Sequence, residues 1–205
     1  MHGVGNDPTY NAKSCFETYP FPQGLTPADT AHQQTEAIAG GALIPAHLGD
    51  KPIQTKVSTS LARTNAGSTL LRGISVRASA IAIATAAKHL NDLRDNWLNP
   101  NEWTHKVKEI TPLGMDHTPY PDRIEAKPGV SEDDLKALQK RTLTNLYNLS
   151  PAWLAMAHAQ LDEAVAAAYG WADCTVDMPD EEILKRLLAL NMERSKGELE
   201  RDTTK

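Results

Sequence analysis

A mainly α-helical chain is what this sequence predicts. It reads as a helical bundle or hairpin stack behind an extended N-terminal arm and a partly disordered insertion. Three observations lead there. Alanine is abundant, 27 of 205 residues, against 2 Phe, 4 Trp and 5 Tyr. Small, unbranched side chains favour close-packed helices, whereas sheets favour β-branched and aromatic ones. From about Arg77 onward, apolar residues repeat at three- and four-residue steps, the signature of amphipathic helices. Prolines crowd the start of the chain, where each removes an amide donor and pushes its predecessor out of the helical region.

The elements follow in order. Residues 1–27 form the arm, interrupted by Pro8, Pro20, Pro22 and Pro27. Phe16, Tyr19 and Phe21 sit between these prolines, and their rings are expected to tack the arm onto a hydrophobic surface. Residues 28–76 hold no Phe, Trp or Tyr and are rich in Gly, Ser, Thr, Ala and Gln. This composition predicts a linker or insertion with little core of its own, carrying at most a short helix at Asp29–Ala39 and a weak strand at Ile53–Ser58. Residues 77–205 are the helical domain, ordered to about 194. Ile83, Ala86, Leu90, Leu93 and Trp97 mark a first long helix, which stops near Leu98 because Asn99 precedes Pro100. Residues 99–130 are a Pro-rich crossing segment.

Ser131, with Asp134 three residues on, opens the next helix with a capping-box-like pair, and Glu132 and Asp133 suit the positive end of its dipole. Leu135, Leu138, Thr142, Leu146 and Leu149 are its buried stripe. Ser150-Pro151 reads as an N-cap followed by a first-turn proline. Leu154, Ala157, Leu161, Val165 and Ala168 line the helix it starts. Gly170 supplies a left-handed stop, with Trp171 folding back on the last turn. The last helix begins at Pro179, with Asp180, Glu181 and Glu182 in its first turn and a dense apolar face of Ile183, Leu184, Leu187, Leu188 and Leu190. The charged tail after Ser195 is expected to fray.

Composition narrows the function classes. With 21 basic and 26 acidic residues the net charge is −5, which excludes a strongly basic nucleic-acid-coating protein. Cys15 and Cys174 stand alone, which argues for a reducing compartment, and the His residues show no ligand spacing with them. No run approaches a membrane span, and Met1-His2-Gly3-Val4-Gly5-Asn6-Asp7 lacks the parts of a signal peptide, so the chain reads as cytoplasmic without a membrane partner.

Catalytic motifs are weighed and set aside. Asp7-Pro8-Thr9-Tyr10 resembles the Asn/Asp-Pro-Pro-aromatic motif with which amino-group DNA methyltransferases grip a flipped base. Its third residue is Thr, however, and no Gly-rich strand-following loop precedes it, so turn chemistry explains it better. Asn99-Pro100-Asn101-Glu102 reads as a helix stop. Gly3-Val4-Gly5 is a lone GxG, and no Gly-x-Ser-x-Gly elbow is present. No catalytic, cofactor-binding or metal-ligating residue is therefore assigned. Lys13, Arg63, Arg72 and Arg77 are the candidates for contacts with DNA phosphates, against the commoner role of a solvated basic face.

Three segments carry a resemblance. The first runs from Gly3-Val4-Gly5-Asn6-Asp7-Pro8-Thr9-Tyr10 to Cys15-Phe16-Glu17-Thr18-Tyr19-Pro20-Phe21-Pro22. The second is Leu90-Asn91-Asp92-Leu93-Arg94 with Trp97-Leu98-Asn99-Pro100-Asn101-Glu102-Trp103. The third includes Lys140-Arg141-Thr142-Leu143-Thr144-Asn145-Leu146-Tyr147-Asn148, Pro151-Ala152-Trp153-Leu154, the stretch from Leu161-Asp162 to Tyr169-Gly170-Trp171, and Glu181-Glu182-Ile183-Leu184. Together they resemble, in order, the C-terminal region of large bacterial adenine-specific DNA methyltransferases of the type IIG/IIL restriction–modification kind.

In that family the first segment ends the target-recognition domain and the others belong to a C-terminal helical domain. Residues 28–76 depart from the pattern as an insertion. The family's cofactor, catalytic and nuclease motifs would lie N-terminal to Met1. The resemblance thus implies a non-catalytic C-terminal fragment or subunit that braces DNA recognition. It would bind DNA weakly and work with a methyltransferase and recognition portion that holds S-adenosylmethionine, the chain itself holding no cofactor. The alternative is a helical dimerisation module with no DNA role, a homo-oligomer in which the Leu face of 183–190 pairs with a copy of itself.

Overall fold

The computed structural model describes residues 19–31, 33–49 and 75–202. In chain order its elements are α1 (Pro27–Thr30), β1 (Thr35–Ala37), β2 (Leu43–Pro45), α2 (Val76–Leu98), β3 (Thr104–Val107), β4 (Arg123–Ala126), α3 (Glu132–Gln139), α4 (Leu143–Leu149), α5 (Ala152–Tyr169) and α6 (Asp180–Asp202). The chain is mainly α, with two small two-stranded sheets, β1–β2 and β3–β4, among the described residues. No described helix is long and apolar enough to cross a membrane. Contacts divide the chain into two compact units. One comprises the described parts of Met1–Glu36, Pro45–Ala80 and Val165–Lys205, the other Ala37–Ile44 and Ile81–Ala164.

In the first unit the arm is irregular from Tyr19 to Leu25. Thr26 then caps α1 with a full capping box: its side chain accepts from the Asp29 N–H, and the Asp29 carboxylate accepts from the Thr26 N–H at 3.1 Å. The short helix expected at Asp29–Ala39 is not what forms. Helix ends after one turn at Thr30, and Thr35–Ala37 is strand. Thr35 is β-branched, and the Gly40-Gly41 turn returns the chain onto β2, so hairpin pairing overrides the local helix preference of Ala31, Gln33, Gln34, Glu36 and Ala37. The segment also holds buried side chains despite its lack of aromatics. Leu48 is 8% exposed in this unit, and Ala42 and Ile44 are 5% and 1% exposed in the other. The strand expected at Ile53–Ser58 lies outside the described residues.

Gly24 is tied to this packing. Its φ is 78°, and a Cβ there would stand 2.7 Å from Cγ2 of Val76. Only a residue without a side chain fits both the backbone and the space.

In the second unit the core is Leu90 of α2, Leu146 of α4, and Leu154 and Ala157 of α5, with Leu93, Trp97, Trp153 and Leu161 packed around them. Helix α2 stops at Leu98 before Pro100, as the proline requires. The crossing segment after it is not irregular throughout. Thr104 pairs with Ala126 and Val107 with Arg123 in an antiparallel ribbon. Four-residue strands 15 residues apart carry no hairpin signal, and β4 is exposed along its whole length, so it lacks the alternation that betrays a strand.

The single helix expected across 131–149 is two. Ser131 caps α3, although Asp134 returns its carboxylate to the Ser131 hydroxyl at 2.7 Å rather than to the backbone. Helix α3 ends at Gln139, and Thr142 caps α4 by accepting from the Asn145 N–H at 3.2 Å. The break lets Arg141 lie between two indoles, 5.4 Å from the Trp97 centroid and 4.7 Å from that of Trp103, and donate to the Trp97 carbonyl at 2.6 Å. Restarting the helix also shifts its phase. Leu146 becomes fully buried, while Leu149, expected in the same stripe, is 69% exposed.

Ser150 does not cap α5. It sits at φ 42° as the left-handed C-cap of α4, and α5 starts after Pro151. The α5 face is as its spacing predicts, with Leu154, Ala157 and Ala168 buried. Helix α6 starts at Asp180 and continues to Asp202, so the charged stretch after Ser195, which composition predicts to fray, is helical.

Candidate functional site

The most developed side-chain constellation in the first unit lies where α5 ends, α6 passes and the arm arrives. Helix α5 closes with Gly170 at φ 75°. Its N–H donates to the Ala167 carbonyl at 3.0 Å, and the Trp171 N–H donates to Ala166 at 3.0 Å. This pair of bonds is the Schellman stop, which needs a left-handed residue and so selects glycine. The chain reversal stacks Trp171 on Tyr169, with centroids 4.7 Å apart and planes at 19°.

Arg186 of α6 holds the loop that follows. Its guanidinium lies 5.7 Å from the Trp171 centroid and grips Asp173 with two bonds of 2.8 and 2.6 Å, while Nε donates to Glu182 at 3.1 Å. The hydrogen bond from Arg186 lowers the Asp173 carboxyl to about 2. The same guanidinium, and then Lys185, holds Glu182 below the usual carboxylate range. Arg186 in turn is pushed above its ordinary value by these two carboxylates.

The arm also reaches Tyr169. Tyr19 and Phe21 meet edge to face at 4.9 Å, and the Tyr19 phenol acts on that of Tyr169. Burial first, then the neighbouring Tyr19 side chain, raises the Tyr169 phenol well above its ordinary value. Arg194 of α6 donates to the Phe21 carbonyl at 2.7 Å. Pro20 and Pro22, flanking Phe21, are buried. Prolines suit this place because a docked arm has few partners for backbone N–H groups.

Of the residues singled out from sequence, Tyr19 and Phe21 come together here. Phe16, Lys13, Arg63 and Arg72 lie outside the described residues. Arg77, in the first turn of α2, is ion-paired with Glu36, whose carboxylate competes with any phosphate for its guanidinium. Sequence reasoning missed Arg186, Asp173 and Arg194, which are ordinary charged helix and loop positions until the fold aligns them. The Gly170-Trp171 stop was the one local signal that pointed at this corner.

The second unit has its own polar cluster. Tyr147 of α4 shares a 2.9 Å hydrogen bond with Nε2 of His158 on α5, and Arg94 of α2 donates to the Tyr147 hydroxyl at 3.3 Å. It links three helices that also share the Leu146 core. Among the described residues no group of three or more His, Cys, Asp or Glu is placed to hold a metal ion. The chemistry both clusters offer is anchoring: charge-assisted bonds to backbone, paired carboxylates and stacked rings. Comparison with family models, curated proteins and solved structures finds no match to this chain.

Proposed function

We propose that this chain is a non-catalytic C-terminal part or subunit of a DNA adenine-N6 methyltransferase of the restriction–modification kind, bracing the segment that closes the recognition domain. One observation carries the reading. The arm that resembles the end of a target-recognition domain is held at Tyr19–Phe21 by α5 and α6, through Tyr169 and the Arg194 bond to the Phe21 carbonyl. A brace needs such an attachment, because a recognition surface must hold its side chains rigidly at base edges to discriminate them. In this reading S-adenosylmethionine, the base-gripping loop and most DNA contacts belong to the partner portion.

The test is co-expression of the full chain with an adenine-N6 methyltransferase portion of that kind lacking its own C-terminal helical domain. Co-purification and restored adenine methylation of plasmid DNA are the expected result, with methylation reduced when Arg194→Ala is used. Failure of the two to associate, with methylation the same whether or not the chain is present, overturns the proposal.

A further inference from the structure

Helix α6 has two faces, and only one of them is used within the described chain. On the inner face Ile183, Leu187, Leu190 and Arg194 are half-buried, and Arg186 and Arg194 make the bonds to Asp173 and Phe21. The outer face carries Leu184, Leu188 and Met192, which are 64%, 60% and 54% exposed. Their i, i+4, i+8 spacing lines them up along about 12 Å of helix. Three large apolar side chains in a row are a different matter from one scattered leucine, which a surface tolerates freely.

The charges around this row say what covers it. Asp180 and Glu181 are exposed at its N-terminal end, Glu193, Ser195 and Lys196 at its C-terminal end, and Lys185 beside Leu184. We propose that the outer face of α6 pairs with α6 of a second copy of this chain, antiparallel, about a two-fold axis passing at Leu188. In that arrangement Leu188 meets Leu188 of the second copy, and Leu184 meets Met192. Asp180 and Glu181 then lie beside Lys196 and Ser195, at both ends at once. A two-fold interface requires such self-complementarity, since each contact is made twice. A parallel pair instead sets acidic end on acidic end, Lys185 on Lys185 and Lys196 on Lys196, which is repulsive. The helix dipoles also oppose in the antiparallel pair and add in the parallel one. The patch is short, so the pairing is of the weak, reversible class. It stands independently of the DNA reading, since it uses neither the arm nor a methyltransferase partner.

The experiment is sedimentation equilibrium of the full-length chain over a concentration series, with helicity followed by circular dichroism. The wild-type chain is expected to show a monomer–dimer equilibrium. Leu188→Glu is expected to weaken it about a hundredfold, since both copies change at once, with helicity unaltered. Should Leu188→Glu lose helicity, Leu188→Ser replaces it as the milder break. Orientation is read by cross-linking. Leu188→Cys should oxidise to a symmetric disulfide dimer beyond any background from Cys15 and Cys174, whereas Lys196→Cys should not. A monomeric wild type, a dimer indifferent to position 188, or ready self-linking through Lys196→Cys each overturns the proposal.

Discussion

Arg194 donates to the carbonyl oxygen of Phe21 at 2.7 Å, joining residues 173 positions apart. A half-buried hydrogen bond from a charged donor contributes about 1.5–3 kcal/mol, and its loss leaves the carbonyl short of a partner. Arg194→Ala is therefore expected to lower the unfolding free energy by about 2 kcal/mol, with Arg194→Lys recovering part of it. Urea denaturation followed by tryptophan fluorescence measures both, and Arg194→Ala should also speed proteolytic cleavage near Phe21.

Gly24 and Val76 compete for one space. Gly24→Ala places a Cβ at a left-handed φ and against Val76, and the expected cost is about 2 kcal/mol. Adding Val76→Ala removes the contact but not the backbone strain. The double variant should therefore be more stable than the two single losses added together, and a double-mutant cycle in urea reads that coupling directly.

Leu146 and Leu149 differ by three positions and by their whole environment. Leu146 is 0% exposed at the centre of the second unit's core, so Leu146→Ala should cost about 3 kcal/mol. Leu149, 69% exposed, should change stability by no more than about 0.5 kcal/mol when made Ala. Equal losses at the two positions would contradict the break between α3 and α4.

The Asp173–Arg186 pair sets an acid limb. Arg186 lowers the Asp173 pKa from 3.8 to about 2 in the folded chain. The folded value lies below the unfolded one, so the stabilisation is complete above pH 3.8 and is lost as pH falls through about 2. Wild type should melt above Asp173→Asn at neutral pH, and the gap should close on acidification through that window. A gap independent of pH would show that the pair contributes nothing through its charge. Asp173 is exposed, so the gap is expected to be small and to shrink with salt.

DNA binding by the chain alone should be weak. With net charge −5 and Arg77 committed to Glu36, five other basic residues are left in 1–77, outside the acidic helical part, to displace counterions. Fluorescence anisotropy with random duplexes should give a Kd in the nonspecific range of roughly 10⁻⁴ to 10⁻⁶ M at physiological salt, weakening steeply as salt rises. Tight, sequence-selective binding that persists at high salt would place the recognition surface on this chain itself.

Local signals along the chain settle where most of its helices start and stop. Pro100 ends α2, Ser131 starts α3, and Gly170 stops α5, because each acts through its own backbone on the residues beside it. The α5 stripe from Leu154 to Ala168 was legible for the same reason, since an uninterrupted helix keeps its period. Tertiary structure alone decided the rest. Arg141 reaches Trp97 and Trp103 only because the helix breaks at 140–142, and that break puts Leu146 in the core and Leu149 outside. The ribbon of β3 and β4 depends on pairing across 15 residues, with no tight two-residue turn to announce it. At the arm, the aromatic residues could be read as an anchor, but not their partners. Tyr169 and Arg194 are far along the chain, and a contact between distant positions depends on how whole helices are placed rather than on any spacing along the chain.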